Sequence, residues 1–302
     1  MRARAPDAGG FVRVGDVEVH WERFGQGEPS LLFCGVDPIV ESRMWKGQVP
    51  WFARRHTVVT FDPPGNGRSM RTPDPAAYTD AAFVSAALAV LDAADVDRAV
   101  VVGVCQGAGI SLLLAAEHPD RVDGVVAINA GLRLSTPHAH RTRHSFDEVL
   151  DSDDGWRKEN RHYWLRDWPG YCEFFFDQLL PEPHSTKQVE DCVGWGVATT
   201  PEIMLAYLAA NATSARMDPA GAAELLGQVR CPVLVICGDD DMCQPHDRSH
   251  MIAELTGGDL VVLEGAGHLP HARDPVRVDL EICRFVERLP CVDRQSAVAA
   301  TG

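Results

Sequence analysis

The sequence predicts an α/β protein in which a mostly parallel sheet is covered by helices on both faces. Two observations predict it. Short, continuously apolar, β-branched runs recur along the chain, and most are followed by apolar residues at helical spacing. A third observation sets the domain plan: that rhythm breaks once, in mid-chain, and then resumes.

Taken in order, "FVRVGDVEVHWERFG" alternates apolar and polar residues on both sides of Gly15-Asp16, which predicts an antiparallel hairpin. "SLLFCG" (30–35) is a short buried strand, and a helix is expected through "RMWKGQVPWFARR". "HTVVTFD" (56–62) is another buried strand and runs into the glycine-rich turn "PPGNGRS". From about Thr79 a helix is expected, with Val84, Leu88 and Leu91 at helical spacing. "AVVVGVCQGAGISLLLAAEHPDRV" (99–122) reads as strand, tight turn and helix, and "DGVVAINA" (123–130) as the next strand. "CPVLVICG" (231–238) and "DLVVLEG" (259–265) restore the alternation. The final helix, "PVRVDLEICRFVERL", places Val278, Ile282, Phe285, Val286 and Leu289 on one face, and the tail "CVDRQSAVAATG" reads as frayed.

Between these two halves lie Trp156, Tyr163, Trp164, Trp168, Tyr171, Phe174-Phe175-Phe176 and Trp195, mixed with charges. No connecting loop is that long, so an insertion of roughly ninety residues is expected. The plan is a core at 1–130 and 227–302 and an inserted segment at 131–226. Most of the insertion's aromatics are expected to pack its own small core, with two or three lining a pocket.

Composition narrows the function. The net charge is −15, from 28 basic against 43 acidic residues, which opposes binding to nucleic acid or an anionic membrane. No apolar run is long enough to span a bilayer, and no secretory signal follows "MRARAPDAGG". Nine unpaired-looking cysteines suit a reducing cytoplasm better than a disulfide framework. His138, His140 and His144 in "PHAHRTRH" lack neighbouring Cys or carboxylate ligands at metal-site spacing, so no metal is expected. "PPGNGRS" lacks the phosphate-loop pattern and is expected to be a structural turn packing against the elbow.

The chemistry concentrates at Cys105. A nucleophile on a sharp strand-to-helix turn needs small residues two positions before and after it, and Gly103 and Gly107 supply them. Such a turn aims the Gln106 N–H and the start of the helix at an oxyanion. Free cysteines are commonly inert core thiols, but here both elbow glycines accompany the thiol. Enzymes built on such an elbow carry an acid and then a histidine further along. His268 follows Gly-Ala-Gly at a strand end, with His271 the weaker candidate; Asp241 is preferred among the acids of "ICGDDDMCQP", with Asp240 its nearest rival.

With these residues in view, the chain resembles the α/β-hydrolase superfamily over nearly its whole length. The likeness rests on "FDPPGNGRS", the elbow, "AAEHPDRV", "CPVLVICGDDD" and "GAGHLPH", five motifs in the family's order. It implies an α/β-hydrolase fold, Asp241 as the orienting acid, His268 as the base, and an insertion that forms a helical cap over the site. The family's His-Gly after the third strand is replaced by "FCGVDP", with Cys34 in the histidine's place. The second oxyanion donor would then be the Val36 N–H, and Cys34 is taken as structural. The elbow "GVCQGAG" is similar to that of polyhydroxyalkanoate synthases; dienelactone hydrolases and the cysteine Dieckmann cyclases also use a cysteine.

A cysteine nucleophile gives a thioester intermediate. Thiolate leaves easily, so acylation is favourable from thioesters or activated esters, and the acyl-cysteine is open to water, amines, alcohols or carbon nucleophiles. The expectation is a cofactor-free Cys-His-Asp hydrolase or acyltransferase acting on a small-molecule ester or thioester, carrier- and CoA-linked acyl groups included, with a thioesterase or a cyclising acyltransferase among the forms it can take. An oxoester carboxylesterase is the nearest alternative, and a ligand-binding protein on a hydrolase scaffold the more distant one.

Overall fold

A computed structural model describes residues 4–35 and 37–290. Gly15, at φ +58°, helps close a hairpin between β1 (Ala8–Val14) and β2 (Val17–Phe24), as its alternating sequence predicts. The remaining strands are β3 (Leu31–Cys34), β4 (Val58–Phe61), β5 (Ala99–Val104), β6 (Val122–Ile128), β7 (Val233–Gly238) and β8 (Asp259–Leu263). They form one sheet in the order β1-β2-β4-β3-β5-β6-β7-β8. β2 pairs antiparallel with β1 and β4, and every pairing from β4 to β8 is parallel.

The apolar runs map onto burial. β3, β4, β5 and β7 are buried along their whole length, because helices cover both faces. β8 lies at the edge and buries only Leu263 completely. Thr79 caps the helix Asp80–Ala93 by accepting the Ala82 N–H, and Asp274 caps Pro275–Arg288 by accepting the Arg277 N–H. That last helix buries the expected face through Val278, Ile282, Phe285 and Val286.

One expected helix is broken. "RMWKGQVPWFARR" forms a 3-10 turn, Ser42–Trp45, and a short helix, Gln48–Phe52. Pro50 has no N–H to donate to the Lys46 carbonyl, so the helical ladder cannot cross the junction. Side-chain anchoring fixes the first piece: Ser42 is bonded to Asp62, and Trp45 is packed between Phe33 and His271.

Between β6 and β7 the chain runs through Arg161–Arg166, Trp168–Leu179, Thr186–Gly196, Pro201–Asn211 and Pro219–Gln228. The last of these packs beside the elbow helix Gln106–Glu117 and against Asp247–Thr256. The last residues of the expected insertion therefore sit with the sheet-covering helices. Buried Arg216 fastens this return, bonding Asp80, Gln106 and Asn211. The turn 63–69 packs on the segment after β3 and on the insertion: Asn66 donates to the Pro38 and Trp195 carbonyls. Gly35, whose carbonyl lies against Gly107 of the elbow, sits beside Pro63 of this turn. The tail after Pro290 lies outside the described residues, and no helix among those described is long and apolar enough to cross a membrane.

Candidate active site

Cys105 lies between β5 and the helix Gln106–Glu117 with φ +51° and ψ −120°, a region that β-carbon sterics disfavour. Such a residue costs on the order of 1–3 kcal/mol and persists only where its surroundings fix it. Here its N–H donates to the Ile128 carbonyl (3.0 Å), and its own carbonyl accepts from Ala108 (3.1 Å) and Gly131 (2.7 Å). The flanking glycines are steric necessities. A Cβ on Gly103 would lie 2.4 Å from the Gly107 carbonyl oxygen, and one on Gly107 would lie 1.9 Å from that of Gly35. Gln106 opens the helix, where N–H groups have no intrahelical acceptor, and it lines the same cavity as Cys105. Val36, the other expected oxyanion donor, lies outside the described residues.

The acid and the histidine come from the ends of β7 and β8. Asp241 is buried and accepts from His268 Nδ1 at 2.7 Å, whereas Asp240 is exposed. His268 is buried too, and with Nδ1 on Asp241 its other ring nitrogen, Nε2, is left for the rest of the site. Asn129, at the end of β6, ties both loops together: its amide donates to the Gly267 and His268 carbonyls and accepts the Gly238 N–H. His271 does not join the group. It is buried against Trp45 with neither ring nitrogen bonded, and burial, helped by the charge at His268, pushes it down to about 3. Cys34 is likewise a core thiol, pushed up to about 12 by burial.

Sequence reasoning missed Cys243. Its sulfur touches both Cys105 and His268, and the three ligand atoms lie within 4.8 Å of one another. Asp241 shapes this loop, its Oδ1 accepting the Cys243 and Gln244 N–H groups at 2.7 and 3.1 Å. Arg141 Nη1 donates to Cys243 Sγ at 2.9 Å, while Glu159 neutralises the guanidinium through Nε. Gln244 directs its amide nitrogen toward both sulfurs, because Arg248 occupies its oxygen at 2.6 Å. The available signal was a second thiol two residues past the acid in "DDDMCQP".

These neighbours set the charges. Burial disfavours the His268 imidazolium, but the Asp241 carboxylate and then Cys243 outweigh it and hold the proton up to about 10. Cys243 is lowered well below an ordinary thiol, first by the hydrogen bond with Cys105 and then by the His268 and Arg141 charges, against burial. Cys105 is raised, by that same hydrogen bond and by burial. Cys243 is the thiol of the pair that touches both cations, and that contact is what favours negative charge on its sulfur.

The histidine-rich segment has a role that spacing could not show. His138 and His140 meet the Asp241 and Met242 carbonyls at 2.8 and 3.0 Å, and Arg141 meets that of Cys243 at 3.2 Å. Carbonyls only accept, so both imidazoles donate through Nε2. This run clasps the acid-bearing loop.

A cavity of about 130 Å³ opens over Cys105. Trp164, Tyr171, Phe175, Phe176, Met204 and Tyr207 of the insertion line it. Asp37 also faces it; burial pushes this carboxyl up to about 6, although its Oδ1 accepts the Ile39 N–H.

A mostly parallel sheet, a nucleophile-type elbow after its central strand and a buried Asp–His pair from later loops define an α/β hydrolase. The family profile described as the alpha/beta hydrolase fold matches residues 33–163. A protein of a Caulobacter species, provisionally named carbamate hydrolase RutD, is 30% identical over 259 residues, spanning 83% of this chain and 87% of that protein. The chain belongs to the α/β-hydrolase family and is a hydrolase of that type. Solved structures agree in fold: a Pseudomonas aeruginosa hydrolase superposes with TM-score 0.75 at 24% identity, covering 93% of this chain and 98% of the other. A Burkholderia xenovorans enol-lactonase does so with TM-score 0.73 at 19% identity, covering 92% and 100%.

Proposed function

We propose that this hydrolase cleaves, or transfers the acyl group of, a small-molecule ester or thioester through an acyl-Cys105 intermediate, without a cofactor. The observation that carries the reading is the Cys105 thiol on a strained elbow, at a helix N-terminus, grouped with Cys243 and the Asp241–His268 pair. The aromatic walls of the cavity favour a compact apolar or aromatic acyl group, and the insertion acts as the cap that encloses it.

The charge arrangement suggests the steps. As Cys105 Sγ attacks the acyl carbon, its proton passes to the Cys243 thiolate, and the carbonyl oxygen takes the negative charge beside the Gln106 N–H. The tetrahedral adduct collapses, breaking the bond to the leaving group, which takes the His268 proton. Neutral His268 then accepts a proton from water as that water attacks the thioester. The Cys105 sulfur departs and recovers its proton from Cys243, restoring the starting state. An amine or alcohol in place of water gives transfer.

A carbamate presents the same kind of carbonyl, and the name of the Caulobacter relative supports it as a second substrate class. The deciding experiment is intact-protein mass after brief mixing with acyl thioesters, activated esters and carbamates, beside Cys105→Ala and Cys243→Ala. An acyl adduct that maps to Cys105 and is absent from Cys105→Ala is expected. An adduct on Cys243, or undiminished turnover by Cys105→Ala, would overturn the proposal.

A further inference from the structure

The Cys105–Cys243–His268 group meets the requirements of a second kind of chemistry. Two sulfurs and one imidazole nitrogen lie within 4.8 Å of one another, all in buried residues. Ligand atoms around one tetrahedral zinc stand about 3.6–3.8 Å apart, given Zn–S near 2.3 Å and Zn–N near 2.0–2.1 Å. Closing the trio onto an ion therefore takes side-chain movements of no more than about 1 Å.

The surroundings already resemble a metal site's outer shell. Asp241 holds His268 through Nδ1 at 2.7 Å, the carboxylate–histidine arrangement that fixes a ligating imidazole with its other nitrogen free. Arg141 and the Gln244 amide supply N–H groups to the Cys243 sulfur, as outer-shell donors do for bound thiolates. Arg141's charge does not by itself repel a cation strongly, because Glu159 pairs with it. All three residues line the cavity, where a fourth ligand would come from water or substrate.

We propose that Cys105, Cys243 and His268 form a three-ligand site for a thiophilic divalent cation, with zinc the fitting occupant, and that its occupation blocks Cys105. Binding releases protons, since both sulfurs must ligate as thiolates and His268 as neutral imidazole. No sulfur is oxidised. The inhibition rests on the reading of Cys105 as nucleophile; the binding does not.

The test uses cadmium as the probe, because its sulfur-to-metal charge-transfer band in the ultraviolet scales with the number of thiolates bound. Phosphine-reduced full-length protein, with Cys231, Cys283 and Cys291 changed to serine to silence other thiols, is titrated with cadmium and then competed with zinc. One ion per chain bound by two thiolates is expected, with the band halved in Cys105→Ser and in Cys243→Ser. Asp241→Asn should weaken binding by about 10–100-fold. Cys34→Ser serves as a folded reference and should keep the full band. A wild-type band worth one thiolate or none, or a band unchanged in both cluster variants, would overturn the site. If the metal binds as expected but the substrate panel still gives no acyl-Cys105, the nucleophile reading fails while the metal site stands.

Discussion

Gly107→Ala tests the elbow most directly. The new Cβ would lie 1.9 Å from the Gly35 carbonyl oxygen, and ordinary contact begins near 3.4 Å, so one backbone must retreat by about 1.5 Å. Neither can do so freely. Gly107 is anchored in the helix behind Cys105, and Gly35 directly follows β3 in mid-sheet. Overpacking of this kind costs about 1–3 kcal/mol. In a chain of this size that lowers Tm by roughly 2–5 °C. Activity should suffer more, because a displacement of about 1 Å at reacting groups costs on the order of 100-fold. The assay is kcat/KM on whichever activated thioester or ester the panel identifies, with melting followed by circular dichroism. Gly194→Ala is the control, since its Cβ meets nothing within 4 Å on the helix Thr186–Gly196. It should be neutral, or stabilising by about 0.5–1 kcal/mol. If Gly107→Ala kept its activity within about twofold and melted with the wild type, the close approach that defines the elbow would be wrong.

Two further predictions concern pH. His268 holds its proton up to about 10 when folded, against 6.5 when free, so the stabilisation is complete below about 6.5 and is lost as pH rises through about 10. Asp241→Asn should therefore lose less Tm than the wild type between neutral pH and about 10, and parallel curves would remove the carboxylate as the cause. His271 behaves oppositely: its folded value is depressed to about 3, so neutral His271 contributes stability above about 6.5 that drains away as pH falls toward 3. His271→Phe should flatten the acid limb of the melting profile; an unchanged limb would mean that another group drives acid unfolding.

The sequence by itself determined the parts whose cause is local. Continuous apolar runs became the buried strands because burial on both faces requires them, and Thr79 and Asp274 capped helices where their side chains could reach the next turn. Gly103 and Gly107 announced the elbow because the clash they avoid is set by residues two positions from Cys105. His268 was legible for a similar reason, a histidine after Gly-Ala-Gly at a strand end.

The tertiary structure decided what depends on direction and on distant partners. Asp240 and Asp241 are equivalent in composition, and only the turn after β7 points one to solvent and the other at His268. The break at Lys46-Gly47 has a local cause in Pro50, but the placing of the first piece follows from anchors at Asp62 and His271 that no local window contains. "PHAHRTRH" resembled a weak metal cluster, yet His138, His140 and Arg141 bond the Asp241, Met242 and Cys243 carbonyls, far away in sequence. Cys243 joins Cys105 across 138 positions, and that meeting exists only because parallel strands deliver their following loops to one edge of the sheet.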